Sequence, residues 1–482
     1  MFLGIDIGTS GVKAVVLDEA GTVVGQGVAA LTVQRPEPLW SEQDPEAWWL
    51  ATTAAVQAID PAVRRSVRGV GVAGQMHGAT LLGADDKVLR PAILWNDGRS
   101  FAECEELEDA ADFRGIGGNI VMPGFTAPKL AWVRRHERAV FDQVATVLLP
   151  KDYVRLRLTG DKASDLSDSA GTLWLDVANR RWSDDLLAAT GLTEAQMPRL
   201  VEGTEITGML LPSIAELWGM PAVPVVGGGG DNAAGAAGVG VVRNGDALLS
   251  LGTSGVIFVA TQEYRSNPAR AVHAFCHCLP GLWHQMSVHL SAASCIDWVA
   301  KLTGAAGAAD LFARAESAGS CAGPELFLPY LSGERTPHND VAVRGAFLRL
   351  DNETTPEKLA QAVLEGVAFA LADGLDALRE GGTTIDKLSV IGGGARSVYW
   401  GRILAAALEA PLVYLKGGEV GPALGAARLA QVAVDGGDPA TVCAAPPVAR
   451  TVDPDAALIE RLAEKKAAFR DAYPRITPKK GH

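Results

Sequence analysis

Four consecutive glycines, Gly227 to Gly230, end on an acid and an amide, Asp231 and Asn232. The run follows the apolar, strand-like segment VPVV. Glycine carries no side chain, so a ligand can lie against such backbone. Asp231 would then stand in the crevice at a strand's carboxyl end, where ligands of α/β sheets bind. A lone Asp beside a nucleotide can accept a hydroxyl proton during phosphoryl transfer. A simpler reading makes Asp231 the N-cap of the helix DNAAGAAGVG, and the two roles are compatible. A second acid, Asp6, ends another strand-like run just before the turn Gly8-Thr9-Ser10-Gly11. Backbone amides and two hydroxyls at a tight bend suit phosphate oxygens. A carboxylate beside phosphates is repelled unless a divalent cation intervenes. Asp6 is therefore expected to hold Mg2+, directly or through water, with Asp231 as the second candidate ligand.

The turn recurs in the second half of the chain, where residues 252–256 repeat the Gly-Thr-Ser-Gly-Val of residues 8–12. Leu3, Ile5 and Ile7 precede the first copy, and Leu248, Leu249 and Leu251 precede the second. Apolar runs follow both. Each copy predicts a β-hairpin, and the pair predicts two similarly built domains. Between and after the hairpins, strand-like and helix-like segments alternate. Strands are expected at 67–74, 223–230, 388–394 and 411–417. Helices are expected from Asp44-Pro45 onward, over Thr355–Leu378, near Val398–Leu408 and near 421–434. The fold class is therefore α/β, with two domains, each a mixed sheet flanked by helices, and a cleft between them. Residues 1–243 form the expected first domain and 244–436 the second. Residues 437–482 form a tail with a helix over Ala456–Tyr473, assigned to neither domain.

Other motifs carry weaker signals. Gly392-Gly393-Gly394 follows a strand and could form a platform for a flat base or ribose. Met76 and His77 follow the strand VRGVGVA, and His77 reads either as a pocket contact or as a satisfied core histidine. His273-x-x-Cys276-His277-Cys278 sits in alternating, strand-like text without a distant second pair, which argues against a metal site. Gly8-x-x-Gly11 is not a dinucleotide fingerprint, and no GxxxxGK[ST] P-loop occurs anywhere.

Composition narrows the partners. The chain has 482 residues, 48% of them hydrophobic and 21% charged, which suits globular domains with real cores. Its formal net charge of −13 disfavours nucleic acid and anionic lipid as partners. A small neutral substrate is compatible with that charge. No stretch reads as a membrane span, and the N-terminus lacks the features of a signal peptide. Six cysteines without a CxxC pair point to a reducing cytosol. A homodimer is kept as an expectation.

Together these motifs carry a family resemblance. The blocks are GIDIGTSGVKAVVLD, PLWSEQDPEAWW, GVAGQMHGATLL, LRPAILWNDGR, GFTAPKLAWV, LLPKDYVRLRLTG, GGGGDNAAGAAGVG, LPYLSGERTPH, VIGGGARS and GPALGAARLA. With them the chain resembles the sugar-kinase branch of the actin-like (ribonuclease H-like) ATPases, and more closely the FGGY carbohydrate kinases. GQMHGATLL and PLWSEQDPE are similar to the branch that acts on D-xylulose. The resemblance runs to about residue 435, and the tail departs from it. It implies ATP-dependent phosphorylation of D-xylulose to D-xylulose 5-phosphate, with Mg2+. It makes Asp231 the catalytic base and Asp6 the supporting acid. It puts Met76, His77, Asp231 and Asn232 at the sugar. It puts Gly8, Thr9, Ser10, Gly252, Thr253 and Gly392 to Gly394 at ATP. A neighbouring ketose or polyol such as ribulose or ribitol is the alternative substrate. An ATP-driven conformational switch without a sugar substrate is the alternative of another class.

Overall fold

The structure, a computed structural model, describes residues 1–321, 323–416 and 421–477. Both Gly-Thr-Ser-Gly turns close antiparallel hairpins. β1 (Phe2–Ile7) pairs with β2 (Gly11–Leu17), from Phe2 opposite Leu17 to Ile7 opposite Val12. β3 (Val23–Ala30) adds antiparallel to β2. On its other edge β1 runs parallel to β4 (Val70–Gly74), whose residues are all buried. β5 (Ile206–Met209) closes the sheet antiparallel to β6 (Pro224–Val226), which is itself parallel to β4.

The second sheet repeats these pairings. β7 (Ala247–Leu251) and β8 (Gly255–Thr261) form the hairpin. β9 (His273–Cys276) and β10 (Trp283–His289) extend it on the β8 side. β11 (Leu388–Ile391) runs parallel to β7, and β12 (Leu412–Leu415) runs parallel to β11. β13 (Val448–Val452) closes the edge antiparallel to β12. Each central strand is covered on both faces, which explains why it reads as an apolar run rather than an alternating one.

The helices start where the sequence signals them. Asp44 caps α1 (Pro45–Gln57) by accepting from the Glu46 amide, with Pro45 in the first turn. α2 (Asp231–Gly238) leads from the first sheet to the second. α3 (Pro356–Glu380), capped by Thr355, and α4 (Val398–Leu408) pack in the core of the second sheet. α5 (Pro422–Asp435) returns to the first sheet, where it lies on β1 and β4 and against α2. The last helix of residues 244–436 is thus seated on the first sheet. The tail, left unassigned by sequence, belongs with the second sheet. It supplies β13 and α6 (Ala456–Ile476), which buries Leu462, Phe469 and Ala472 in the same core. Gly417, at the end of an expected strand, and residues 478–482 of the tail lie outside the described residues.

The α5 crossing is close enough to require glycine. A Cβ on Gly425 would lie 1.7 Å from the Ala234 carbonyl oxygen of α2. One on Gly71 of β4 would lie 1.9 Å from the Ala426 carbonyl oxygen. Arg428, on the same helix, donates to the carbonyls of Gly238 and Ala444, at 3.1 and 3.0 Å. Among the described residues no helix is long and apolar enough to cross a membrane. A Gly-to-Ala change in an open helix gains about 1 kcal/mol. Gly425→Ala is predicted instead to cost about 1–3 kcal/mol, because backbone must move to admit the methyl group. A urea midpoint equal to or above the parent's would show that the crossing is looser than described.

Candidate active site

Three parallel strands of the first sheet end in line. Ile7 of β1 stands opposite Gly74 of β4, and Gly230 stands opposite the same Gly74 from the other side. The loops that follow therefore leave from one edge: Gly8 to Ser10, Gln75 to His77, and Asp231 with Asn232. Asp6 lies one residue inside that edge. Gly227 to Gly230 are buried and do not form a platform open to a ligand. Gly228 has φ 72°, and a Cβ there would lie 1.7 Å from the Val72 carbonyl oxygen. Gly228 is wedged against β4, Gly227 against the Glu202 carbonyl, Gly229 against Cys278 and Gly230 against Met76, and the run delivers Asp231 to the edge. Nor is Asp231 the helix cap. It is the first residue of α2, with Gly230 in the cap position. Its Oδ1 accepts instead from the Asn232 amide at 2.7 Å and from Asn232 Nδ2 at 2.8 Å.

The two acids feel each other. Burial pushes the Asp6 carboxyl up to about 7, the Asp231 charge adds to the rise, and Lys13 works against it. Lys13 stands directly across the hairpin from Asp6. Burial pushes Asp231 up to about 6, opposed by its two hydrogen bonds from Asn232. Asp6 Oδ1 is buried and has no hydrogen-bond partner. Two mutually repelling carboxylates with an orphaned oxygen fit a hard divalent cation. Among the described residues no group of three or more His, Cys, Asp or Glu could hold a metal by itself. Mg2+ suits that sparse set, since it keeps several waters and takes one or two carboxylates together with phosphate oxygens.

A closed ring of hydrogen bonds ties the first turn to the end of β4. Thr9 Oγ1 donates to Gln75 Oε1 at 3.0 Å, Gln75 Nε2 to Gln43 Oε1 at 3.0 Å, and Gln43 Nε2 to the Thr9 carbonyl at 2.8 Å. Trp95 Nε1 donates to Thr9 Oγ1 at 3.0 Å. The Thr9 hydroxyl is therefore engaged within the protein. The Gly8 amide closes its own turn on Gly11, and the Gly252 amide does so on Ser254. Ser10 is exposed.

His77 has φ 70° and sits edge-on to Phe125, with ring centres 4.9 Å apart. Burial, with the Lys129 charge behind it, takes its pKa down to about 3, so the imidazole is neutral. Nδ1 lies 2.7 Å from the Gly171 carbonyl and carries the proton, which leaves Nε2 as an acceptor. Lys129 Nζ donates to the carbonyls of His77 and Gly124 at 2.7 and 2.8 Å. Met76 is only 5% exposed and covers Gly230. Its side chain packs the loop that carries Asp231.

The second sheet gathers its own group. Ser250 of β7 stands opposite Ile391 of β11, so the Gly252-Thr253 turn and Gly392 to Gly394 leave from neighbouring strand ends. The Thr253 carbonyl accepts from the Ala292 amide at 2.9 Å and from Ser294 Oγ at 2.8 Å, which ties the turn to the start of the helix Ala293–Leu302. His273 and Cys276 are strand residues, as expected, whereas His277 and Cys278 lie just beyond the strand's end. Gln43, Gln75 and Trp95 were missed as site residues because their partners are distant in the chain. Lys13 could have been found by counting across the hairpin.

Comparison with known proteins agrees with this architecture. Residues 1–238 match the N-terminal domain of the FGGY family of carbohydrate kinases, and residues 247–434 match its C-terminal domain. The chain is 55% identical to xylulose kinase of Klebsiella pneumoniae over 481 residues, covering 99% of each chain. It is 55% identical to xylulose kinase of Escherichia coli K12 over 482 residues, again 99% of each. The crystal structure of a xyloylose kinase from Brucella ovis superposes with a TM-score of 0.95 at 51% identity, covering 98% of this chain and 99% of that one. With both halves matched in order and relatives aligned end to end, this two-domain α/β chain is a sugar kinase that belongs to the FGGY family of carbohydrate kinases.

Proposed function

We propose that the chain transfers the γ-phosphoryl group of ATP to the carbon-5 hydroxyl of D-xylulose, giving D-xylulose 5-phosphate and ADP. Two relatives that are xylulose kinases, 55% identical over the whole length, support the sugar. The observation that carries the chemistry is the Asp231 carboxylate delivered beside Asp6 by aligned strand ends. Asp231 accepts the hydroxyl proton as the oxygen–phosphorus bond forms, and Asn232 orients its carboxylate. His77 offers a neutral Nε2 to a sugar hydroxyl, and Met76 packs behind it. Asp6, with Asp231, would hold Mg2+, which neutralises phosphate charge when bound. The turns at Gly8 to Ser10 and Gly252-Thr253 face phosphate oxygens, and Gly392 to Gly394 face the nucleoside. In this reading residues 1–243 hold the sugar and 244–436 the nucleotide. A neutral sugar suits a chain of net charge −13. Six free cysteines suit a reducing cytosol.

ADP release with a panel of free sugars tests the substrate. Stimulation by D-xylulose is expected, stimulation by ribulose or ribitol instead would reassign the sugar, and a sugar-independent rate would favour the ATP-driven switch. Asp231→Ala is predicted to lower kcat by about 100-fold or more while ATP still binds. Near-parent turnover would reject Asp231 as the base.

The base must be ionised to work. Burial raises Asp231 to about 6 before any cation binds, so kcat/KM should be flat above neutrality and fall on the acid side as Asp231 protonates, with the fall moving to lower pH as Mg2+ is raised. Asn232→Ala removes a hydrogen bond to the charged form, so its acid limb should move to higher pH. A shift to lower pH would contradict the assigned contact. Asp6→Ala should raise the Mg2+ concentration needed for half-maximal rate, and an unchanged titration would reject its role.

A further inference from the structure

The loop that delivers Asp231 has no side chains with which to hold itself. Its four glycines leave Gly227 to Gly230 to be fixed from outside. Beneath it lies a set of charges that the transfer reaction does not use. Lys151, Asp152 and Arg155 come from the helix Pro150–Thr159, and Asp165 and Asp168 from the strand Ala163–Asp165 and the short helix Leu166–Ala170. All five are fully buried. Lys151 Nζ stands 2.5 Å from Asp152, 2.8 Å from Asp165 and 3.3 Å from Asp168. Burial opposes the Lys151 charge, yet the three carboxylates outweigh it and hold its pKa above the ordinary lysine value.

Such a cluster is weak evidence for stability, because apolar residues of similar volume often serve as well or better. What buried ion pairs do provide is fixed direction. Two contacts carry that direction to the loop. Arg155 donates to the Gly227 carbonyl at one end. At the other end the Gly230 amide donates to Ser167 Oγ at 3.1 Å. The Ser167 hydroxyl gives its own proton to Asp165 Oδ2, and Asp165 is held by Lys151. With its proton committed to an anion, Ser167 presents a lone pair to the Gly230 amide. That amide lies one peptide before Asp231.

We infer that Lys151, Asp165 and Ser167 form a positioning relay that fixes the Gly229–Gly230 peptide, next to the one that enters Asp231, and so aims the Asp231 carboxylate at the reacting hydroxyl. The inference rests on Asp231 being the base. A misplacement of 1 Å at a reacting group can cost about 100-fold in rate, which is why a loop of glycines needs such an anchor.

The test is a double-mutant cycle on the full chain with D-xylulose, ATP and Mg2+. Ser167→Ala should lower kcat about 10- to 100-fold and leave KM for ATP within about twofold. Its melting temperature should stay within about 4 °C of the parent's. Ser167→Thr, which keeps the hydroxyl, should hold kcat within about threefold. In the Asp231→Ala background, Ser167→Ala should change the residual rate by less than about twofold, because its target has gone. Parent-like kcat in Ser167→Ala overturns the relay. So does a loss of the same size in the Asp231→Ala background, which is what general loosening of the fold would give. Parent-like turnover in Asp231→Ala alone is a separate result. It removes the base assignment and, with it, the purpose of the relay.

Discussion

Two carboxylates brought close in a poorly solvated place cannot both carry charge without a counter-ion. The first sheet imposes that situation on Asp6 and Asp231 by aligning Ile7, Gly74 and Gly230 across three parallel strands. Each acid is pushed upward by its burial, and Asp6 is pushed further by Asp231. Lys13 across the hairpin and Asn232 at the helix start only moderate the effect. Positive charge brought to this edge would relieve both acids, which is the physical basis for the proposed Mg2+ and phosphate contacts. A single strand out of register would move one acid to the opposite face or away from the edge. The parallel pairing is thus as much a part of the chemistry as the acids are.

The arrangement also has to hold while joined to a second, similarly built sheet. The chain passes between the sheets along α2 and returns to the first along α5, and these two helices touch each other through glycine. Backbone at such close range is fixed by shape. Asp231 is the first residue of one of these helices, so the residue proposed as the base sits on the element that joins the halves. The Thr9–Gln75–Gln43 ring gives a comparable link on the other side, tying the first Gly-Thr-Ser-Gly turn to the strand end that carries Met76 and His77. Thr9 illustrates how a residue chosen for its hydroxyl can serve by holding its turn.

Much was legible in the chain itself. The repeated Gly-Thr-Ser-Gly-Val, with apolar runs on both sides, specifies two hairpins, because a tight turn between strands of buried residues has few other solutions. Asp44-Pro45 specifies a helix start through an acid that caps and a proline that needs no hydrogen bond. Asp6 and Asp231 stood out because an acid at the end of an apolar strand has little structural reason to be there. These are local signals, carried by neighbours within a few residues of one another.

What only the tertiary structure decided depends on residues far apart. The four glycines before Asp231 could equally be a surface for a ligand or a wedge against a neighbouring strand, and the backbone of Val72 settled it. The seat of α5 on the first sheet, the attachment of the tail to the second, and the gathering of Lys151, Asp165 and Ser167 beneath the loop have no local signature. Each follows from close contact between segments whose separation along the chain says nothing of their distance in space. The amino-acid sequence determined which turns, caps and acids exist, because local sterics and hydrogen bonding fix those. The packing of sheets and helices decided which of them meet, because register and close approach are properties of the whole fold.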